Sequence, residues 1–493
     1  MRPPLRDALF HIRRAENVSL QSQIRETLVT AILGGQLPPQ EAVPSTRQMA
    51  KRLGVSRNTV VLAYQALVDD GFLLSRERSG FYVNAEALDG IANRPETVST
   101  PQQGPIDWSR RFSMRPSAQD NIEKPKDWQR YRYPFIYGQV DQELFPISEW
   151  RDCTRRVLGT KSLGEWAGDS YTADDPMLVE QIRTRILPRR GILASEEQIL
   201  ITLGAQNALY LLASLLVTPR SRIAIEEPGY PDMRNVLRLR SDRIVPIPVD
   251  EDGLPVDRRL ADCDLVFVTP SHQFPTTATM PLDRRIALLD MAARHDFLII
   301  EDDYEFETNY VSESCPALKS LDQGDRVIYV GSLSKSLFPG LRLGFLVAAP
   351  ELIREARAQR RLMLRHPPNN NQRTAALFLA LGHHDSLIHR LHRTYKARWT
   401  AMGEALERYL PRSSRAPTFG GTSFWVSGPR WLDAERLAER ALEEGIIIEP
   451  GQIAYAAPSP PRNFFRLGFS SIPLERIEPG IRLLAEVIER QER

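Results

Sequence analysis

From about Tyr131 to Arg493, short apolar runs alternate with helical patterns, and this alternation constrains the fold more than any other feature of the chain. The runs are Gln198–Thr202, Arg222–Ile225, Arg243–Ile247, Asp264–Thr269, Phe297–Glu301, Val327–Val330 and Gly344–Ala348, with helical stretches such as Gln206–Leu216 and Leu282–Arg294 between many of them. Strands that are apolar throughout must be covered on both faces, and helical crossovers join parallel neighbours. The pattern predicts an α/β domain built on a large, mostly parallel sheet. After about Pro350, long helices with a few later strands predict a smaller C-terminal subdomain.

Such sheets bind ligands beyond the carboxyl ends of their strands. Two strand ends here carry reactive groups. Glu301-Asp302-Asp303-Tyr304 closes one, and Ser332-Leu333-Ser334-Lys335 closes another, with Arg342 seven positions after the lysine. Lys335 offers an amine for an imine with an aldehyde. Asp302 offers an acid for a ring nitrogen, Tyr304 a phenol, and Ser332 with Arg342 a phosphate seat. Together these are the groups that pyridoxal phosphate requires. Gly204-Ala205-Gln206 follows a predicted strand and opens a helix, so its backbone N–H groups can receive the phosphate. Tyr230, in Glu227-Pro228-Gly229-Tyr230, can lie over the ring or be a packed core tyrosine. His272, in a third strand-end loop, can touch the ring or be structural. Arg466, flanked by Phe464, Phe465 and Leu467, has two readings: a carboxylate clamp or an internal salt bridge.

The first 84 residues have a different character. Ile24, Leu28 and Ile32 form one helical stripe that Gly34-Gly35 ends. Ser45 and Gln48 have capping-box spacing and open a second helix, with Met49 and Leu53 facing inward. Gly54-Val55 turns the chain, Ser56 caps a third helix with Val60, Tyr64 and Leu67 on one face, and Phe72 to Val83 reads as a hairpin around Ser79-Gly80. This segment holds eleven Lys/Arg and seven Asp/Glu although the whole chain nets only +2. Arg47, Lys51, Arg52 and Arg57 form an acid-free basic run that could meet phosphates. Residues 85–130, with Asn93-Arg94-Pro95 and Thr100 to Pro105, read as a linker; Trp108, Phe112 and Trp128 suggest that its later part packs on something. The division is therefore 17–84, 85–130 and 131–493.

Three widely spaced cysteines argue against a disulfide framework or a zinc site, and no other metal centre is expected. Met1 to Arg14 lacks an apolar leader core, and no run approaches the about 18 apolar residues of a spanning helix. A cytoplasmic protein without membrane contact is expected.

Two signatures carry a resemblance. Val43 to Ala50, Leu53 to Val60, then Ala63, Tyr64, Leu67 and Gly71-Phe72 resemble a GntR-type winged helix-turn-helix. Thr269 to Thr276, Glu301 to Tyr304 and Gly331 to Gly344 resemble fold-type I aminotransferases. In this order they resemble the MocR family of bacterial regulators. The resemblance implies pyridoxal phosphate as a Schiff base on Lys335. It selects Asp302 rather than Asp303 for the ring nitrogen and Arg466 for a ligand carboxylate, and it gives Tyr171 the partner subunit's phosphate. It implies Arg57, Asn58 and Thr59 in the major groove of operator DNA, Arg47 and Ser56 on its backbone, and Arg76 and Arg78 in the wing. The implied assembly is a head-to-tail homodimer, and the implied function is a regulator whose operator binding responds to an amino compound rather than a productive enzyme. An active aminotransferase with an appended DNA-binding domain, or a sensor of pyridoxal phosphate itself, are the alternatives. The chain departs from the pattern at Gln40, at Arg78 and along Phe274-Pro275-Thr276-Thr277. The family has glycine at the first two, and the aminotransferases read Asn-Pro-Thr-Gly in the third.

Overall fold

The computed structural model describes residues 18–88, 106–310, 315–411, 414–415 and 420–492. The reading of Met1 to Arg14 and the centre of the linker fall outside them. The chain divides into two compact units, one ending at Arg111 and the other starting at Phe112.

In the first unit, α1 (Leu20–Leu33), α2 (Thr46–Leu53) and α3 (Arg57–Asp69) precede the antiparallel pair β1 (Leu73–Arg76) and β2 (Gly80–Val83). Helix α2 begins with the predicted capping box: Ser45 Oγ accepts from Gln48 N, and Ser45 N donates to Gln48 Oε1. Gly54 ends it at φ 64°, the left-handed turn that glycine adopts at no steric cost. Ile24, Leu28, Ile32, Met49, Val60, Tyr64 and Leu67 are all buried in one core. Tyr64 donates to Pro44 O (2.8 Å) and meets Phe81 edge-on at 5.1 Å, which fastens the wing to α3.

The second unit opens with β3 (Tyr133–Pro134), α4 (Ile147–Val157), α5 (Leu163–Trp166) and α6 (Pro176–Gln181). Its large sheet comprises β4 (Ile199–Thr202), β5 (Ile223–Glu227), β6 (Ile244–Pro248), β7 (Leu265–Val268), β8 (Leu298–Asp303), β9 (Val327–Ser332) and β10 (Gly344–Val347). The strand order is β4-β10-β9-β8-β7-β5-β6. Every neighbouring pair is parallel except those of β10, which runs antiparallel to both β4 and β9. Alternate strand residues face two cores. Ile300 and Ile328 pack with α7 (Gly204–Leu216) and α8 (Pro231–Arg238), whereas Ile299 and Val327 pack with α9 (Leu282–His295). Register aligns Asp302 with Val330 and Ser332 with Gly344, bringing the predicted reactive strand ends to one edge.

Beyond the sheet come three helices, Pro350–Leu364, Asn369–Ala380 and His383–Tyr409. An antiparallel group follows in which Phe464–Gly468 lies between Ser423–Ser427 and Glu449–Pro450. Residues 112–130, which composition places in the linker, belong to this second unit. Trp108 and Phe112 are 62% and 59% exposed, and Trp128 is half-buried. Gln119 anchors the segment, donating to Asn235 O (2.9 Å) while Asn235 donates to Asp120 O (2.7 Å).

The two positions where the family pattern has glycine both have left-handed backbone here. Gln40 and Arg78 have φ of 63° and 59°, and Thr277 in the crevice loop has φ 63°. Side chains in this region cost about 1–2 kcal/mol each, so the surrounding turns impose the conformation.

Candidate functional site

A cavity of about 310 Å³ opens beyond the ends of β4, β8 and β9. Asp302, Tyr304, Ser332, Lys335, Arg342, Ala205, Gln206 and Tyr230 all line it. Strand pairing explains this convergence: β8 delivers Asp302 and Tyr304, β9 delivers Ser332, and the turn after β9 returns Lys335 to the same mouth.

Asp302 and Asp303 are separated by their partners. Asp303 Oδ2 accepts from Arg190 Nε (2.7 Å) and Tyr329 OH (2.9 Å). Burial raises the Asp303 carboxyl, but Arg190 and these hydrogen bonds outweigh it and hold the group below the usual range. Asp302 lines the cavity, and its buried Oδ1 has no hydrogen-bond partner. Burial and the neighbouring Asp303 charge push its carboxyl up to about 8. A buried acid left in this state is costly unless a cationic or N–H partner completes it. Ser334 Oγ, also on the wall, is a second buried atom without a partner. Ser334 is one of the two hydroxyls that precede the lysine in the sequence.

Lys335 Nζ sits 4.0 Å from the Tyr137 ring centroid and 5.9 Å from that of Tyr304. Burial lowers its amine to about 8, with the Lys124 and Arg466 charges adding to the effect and Glu305 opposing it. The amine is therefore partly neutral near pH 8 and available as a nucleophile. The backbone makes room around it at Gly138, where φ is 75° and an added Cβ would stand 3.1 Å from Nζ. At the other end Gly204, φ 78°, opens α7, and an added Cβ there would meet Arg342 Nη2 at 3.2 Å. Arg342 Nη2 donates to Leu203 O (3.0 Å), so a guanidinium and a helix N-terminus share one corner. That combination suits a phosphate.

Tyr230 donates toward Gln206 Oε1 (3.2 Å) and Asp232 Oδ2 (3.1 Å), and its ring meets Phe274 at 5.3 Å. Phe274, where aminotransferases have Asn, fills the wall with an aromatic ring against Tyr137, Tyr230 and Tyr304. His272 is not brought to the cavity. It is buried near Gly420 and Gly421, with Nδ1 unpartnered, and burial lowers its pKa. Tyr171 also lies outside its own chain's cavity, under Arg361 (4.3 Å) and Arg365 (5.0 Å).

Arg466 is found in the second of its two readings, an internal salt bridge. It is buried, stacks over Tyr137 (3.8 Å) and Phe274 (4.5 Å), and pairs with Glu449 Oε2 through Nε (2.9 Å) and Nη2 (2.5 Å). Glu449 Oε1 meets Lys124 Nζ (3.3 Å) and accepts from Tyr137 N (3.2 Å). Burial would raise the Glu449 carboxyl, but Arg466 and Lys124 outweigh it and hold it low. A carboxylate of the protein itself thus fills the bidentate seat. Glu449 in Ile448-Glu449-Pro450, an acid within an apolar run, was the missed signal. Lys124 gave none, because its segment reads as a linker.

In the first unit Arg47, Arg57 and Asn58 are exposed at the starts of α2 and α3, and Thr59 is half-buried. Ser56 Oγ caps α3 by accepting from Thr59 N (3.1 Å). In the wing, Arg76 lies over the Tyr82 ring (4.4 Å) and Arg78 occupies the exposed turn.

The comparisons agree with both units. Residues 172–484 match the family described as aminotransferase class I and II, and residues 20–83 match bacterial regulatory proteins of the gntR family. The chain is 46% identical over 471 residues to the HTH-type transcriptional regulator TauR of Rhodobacter capsulatus, covering 95% of this chain and 96% of that protein. It is 32% identical over 473 residues to the probable rhizopine catabolism regulatory protein MocR of Rhizobium meliloti, covering 96% and 94%. The structure of Pyrococcus horikoshii kynurenine aminotransferase in complex with PMP matches with a TM-score of 0.71 and 27% identity, over 78% of this chain and 98% of that one. Among the described residues, no helix is long and apolar enough to cross a membrane. With a GntR-type winged helix followed by an aminotransferase class I and II domain, and full-length relatives that share both, the chain belongs to the MocR family of HTH-type transcriptional regulators.

Proposed function

We propose that this regulator holds pyridoxal phosphate at Lys335 and that an amino compound entering the cavity changes its affinity for operator DNA. The observation that carries the reading is the unpartnered, buried Asp302 Oδ1 on the cavity wall, opposite a corner suited to phosphate. The residues fit the cofactor. Asp302 would hold the ring nitrogen and Tyr304 the ring hydroxyl. Tyr230 would hold the ring face, and Ser332, Arg342 and the Gly204-Ala205-Gln206 turn the phosphate. When bound, pyridoxal phosphate supplies an electrophilic carbon that primary amines can attack.

The chain's own contribution is placement and charge. Lys335 presents an amine that gives or takes a proton near pH 8. Phe274 and Tyr230 keep water from the wall, and Asp302 keeps an acid beneath the ring site. In the first unit, Arg57, Asn58 and Thr59 would read base edges while Arg47, Ser56, Arg76 and Arg78 hold phosphates. A head-to-tail dimer would set the spacing of two half-sites and take Tyr171 to the partner's phosphate. A ligand acts here only by binding one arrangement of the units more tightly than another. The assignment of 17–84 to DNA binding and 131–493 to sensing follows, with a cytoplasmic location.

The test is a scan of amino acids and polyamines for changes in the cofactor's absorbance, with active compounds repeated in an operator-binding assay. Compounds active in both assays are expected. Sustained turnover with a keto acid acceptor, lost in Lys335→Ala, would overturn the pure-sensor reading in favour of an aminotransferase. Operator binding that follows pyridoxal phosphate alone and ignores every amine would overturn it in favour of a cofactor sensor.

A further inference from the structure

Two cavities adjoin at Ile122 and Phe274. Lys124 lines the smaller one, while Glu449 and Arg466 line an adjoining cleft of about 860 Å³; Phe274 and Ile122 face both. The Lys124–Glu449 ion pair therefore joins the wall of one to the wall of the other. Lys124 is held by three contacts: Glu449 Oε1 (3.3 Å), the carbonyl of Tyr137, and the Tyr137 ring at 5.5 Å. The same ring carries Lys335 and Arg466. Three cations thus crowd one aromatic ring, and Glu449 is the carboxylate that pairs two of them. Removing Glu449 from this group would leave Lys124 and Arg466 in mutual repulsion within a poorly solvated recess.

Lys124 belongs to the segment that follows Arg111, the last residue of the first unit. That segment is tied down at Gln119 and Asp120 through Asn235, and at Lys124 through Glu449. A change at Glu449 therefore reaches the chain that leads to the DNA-binding unit by covalent connection, through few intermediate contacts.

We propose that Glu449 is an internal occupant of the seat that an acidic ligand group takes at Arg466, and that its displacement releases Lys124 and the segment leading to the DNA-binding unit. The ligand class is a primary amine that also carries an acid: the amine is drawn to the Lys335 cavity and the acid to Arg466. An amine without an acid leaves Glu449 in place and the segment fastened. The inference rests on the sensing function proposed above.

The experiment uses the full chain loaded with pyridoxal phosphate, and the variants Glu449→Gln and Lys124→Met. Hydrogen exchange of residues 119–126 is expected to rise at least tenfold in each variant without any ligand, with the sheet unchanged. Operator affinity should shift at least fivefold, in the same direction in both. Unchanged exchange, or a rise spread over the whole unit, overturns the latch, as does operator affinity that neither variant moves. If Glu449→Gln fails to fold, Lys124→Met, whose side chain is only half-buried, decides alone. In cofactor-absorbance titrations with ω-amino acids of two to six carbons and their matched alkylamines, Glu449→Gln should tighten the acids about fivefold and leave the alkylamines unchanged. No acid gaining on its matched amine overturns the competition with Glu449. If amines leave wild-type operator affinity unchanged while both variants move it, the sensing function fails and the latch stands. If amines move wild-type affinity while the variants change neither exchange nor affinity, the latch fails and the sensing function stands.

Discussion

The two ends of the ligand site differ in how they are satisfied. At the Asp302 end, buried polar atoms lack partners: Asp302 Oδ1 and Ser334 Oγ face a cavity with nothing of the protein to bond. At the Arg466 end, Glu449 accepts two bonds from Arg466, a third from Tyr137 N, and the charge of Lys124. Unmade hydrogen bonds in a buried site cost about 1–3 kcal/mol each, so a fold retains them where a partner completes them. The first end is built for a resident group. At the second, Glu449 already occupies Arg466, so an acid that binds Arg466 must compete with it.

The sharpest way to break this contrast is Arg466→Ala. It leaves Glu449 with Lys124 and Tyr137 N alone, and a loss of about 1–3 kcal/mol in denaturant unfolding is expected. The paired change of Arg466 and Glu449 to methionine should recover most of it. Asp302→Asn tests the opposite end and should move two readouts in opposite directions. Cofactor affinity should fall roughly 10–100-fold by fluorescence titration, because a charge-assisted bond is lost. The cofactor-free protein should gain stability at alkaline pH. Between the ordinary carboxylate range and about 8, folded Asp302 holds a proton that the unfolded chain has released. Its contribution to stability therefore declines as pH rises through that window and is level above it, and Asn removes this decline. Thr277→Gly, in the crevice loop between the two ends, should stabilise by up to about 1 kcal/mol by relieving its left-handed φ. Ser334→Ala is the mildest: thermal stability should change by a few tenths of a kcal/mol, while cofactor affinity drops several-fold.

The sequence carried the Asp302 end and missed half of the Arg466 end, for a physical reason. Lys335, Asp302, Ser332 and Arg342 sit at strand ends that apolar runs mark plainly, and parallel pairing brings those ends together. Lys124 and Glu449 meet across most of the length of the second unit, and no local periodicity encodes such a pair. The choice between Asp302 and Asp303 was equally invisible locally, because Arg190 and Tyr329, which engage Asp303, come from distant positions. His272 shares its loop with Phe274, yet only Phe274 reaches the cavity. In the winged helix, caps and stripes are local, so Ser45, Ser56 and the α3 face were legible residue by residue. At Gln40 and Arg78, where the family pattern has glycine, the backbone is left-handed, which the residue types alone did not indicate.

The most direct test of the account is operator affinity in cofactor-loaded wild type and Lys335→Ala, titrated with the same panel of amines. The account predicts that at least one amine shifts wild-type affinity tenfold or more and that Lys335→Ala shows no such shift. An equal response in Lys335→Ala, or no response to any amine in wild type, would contradict it.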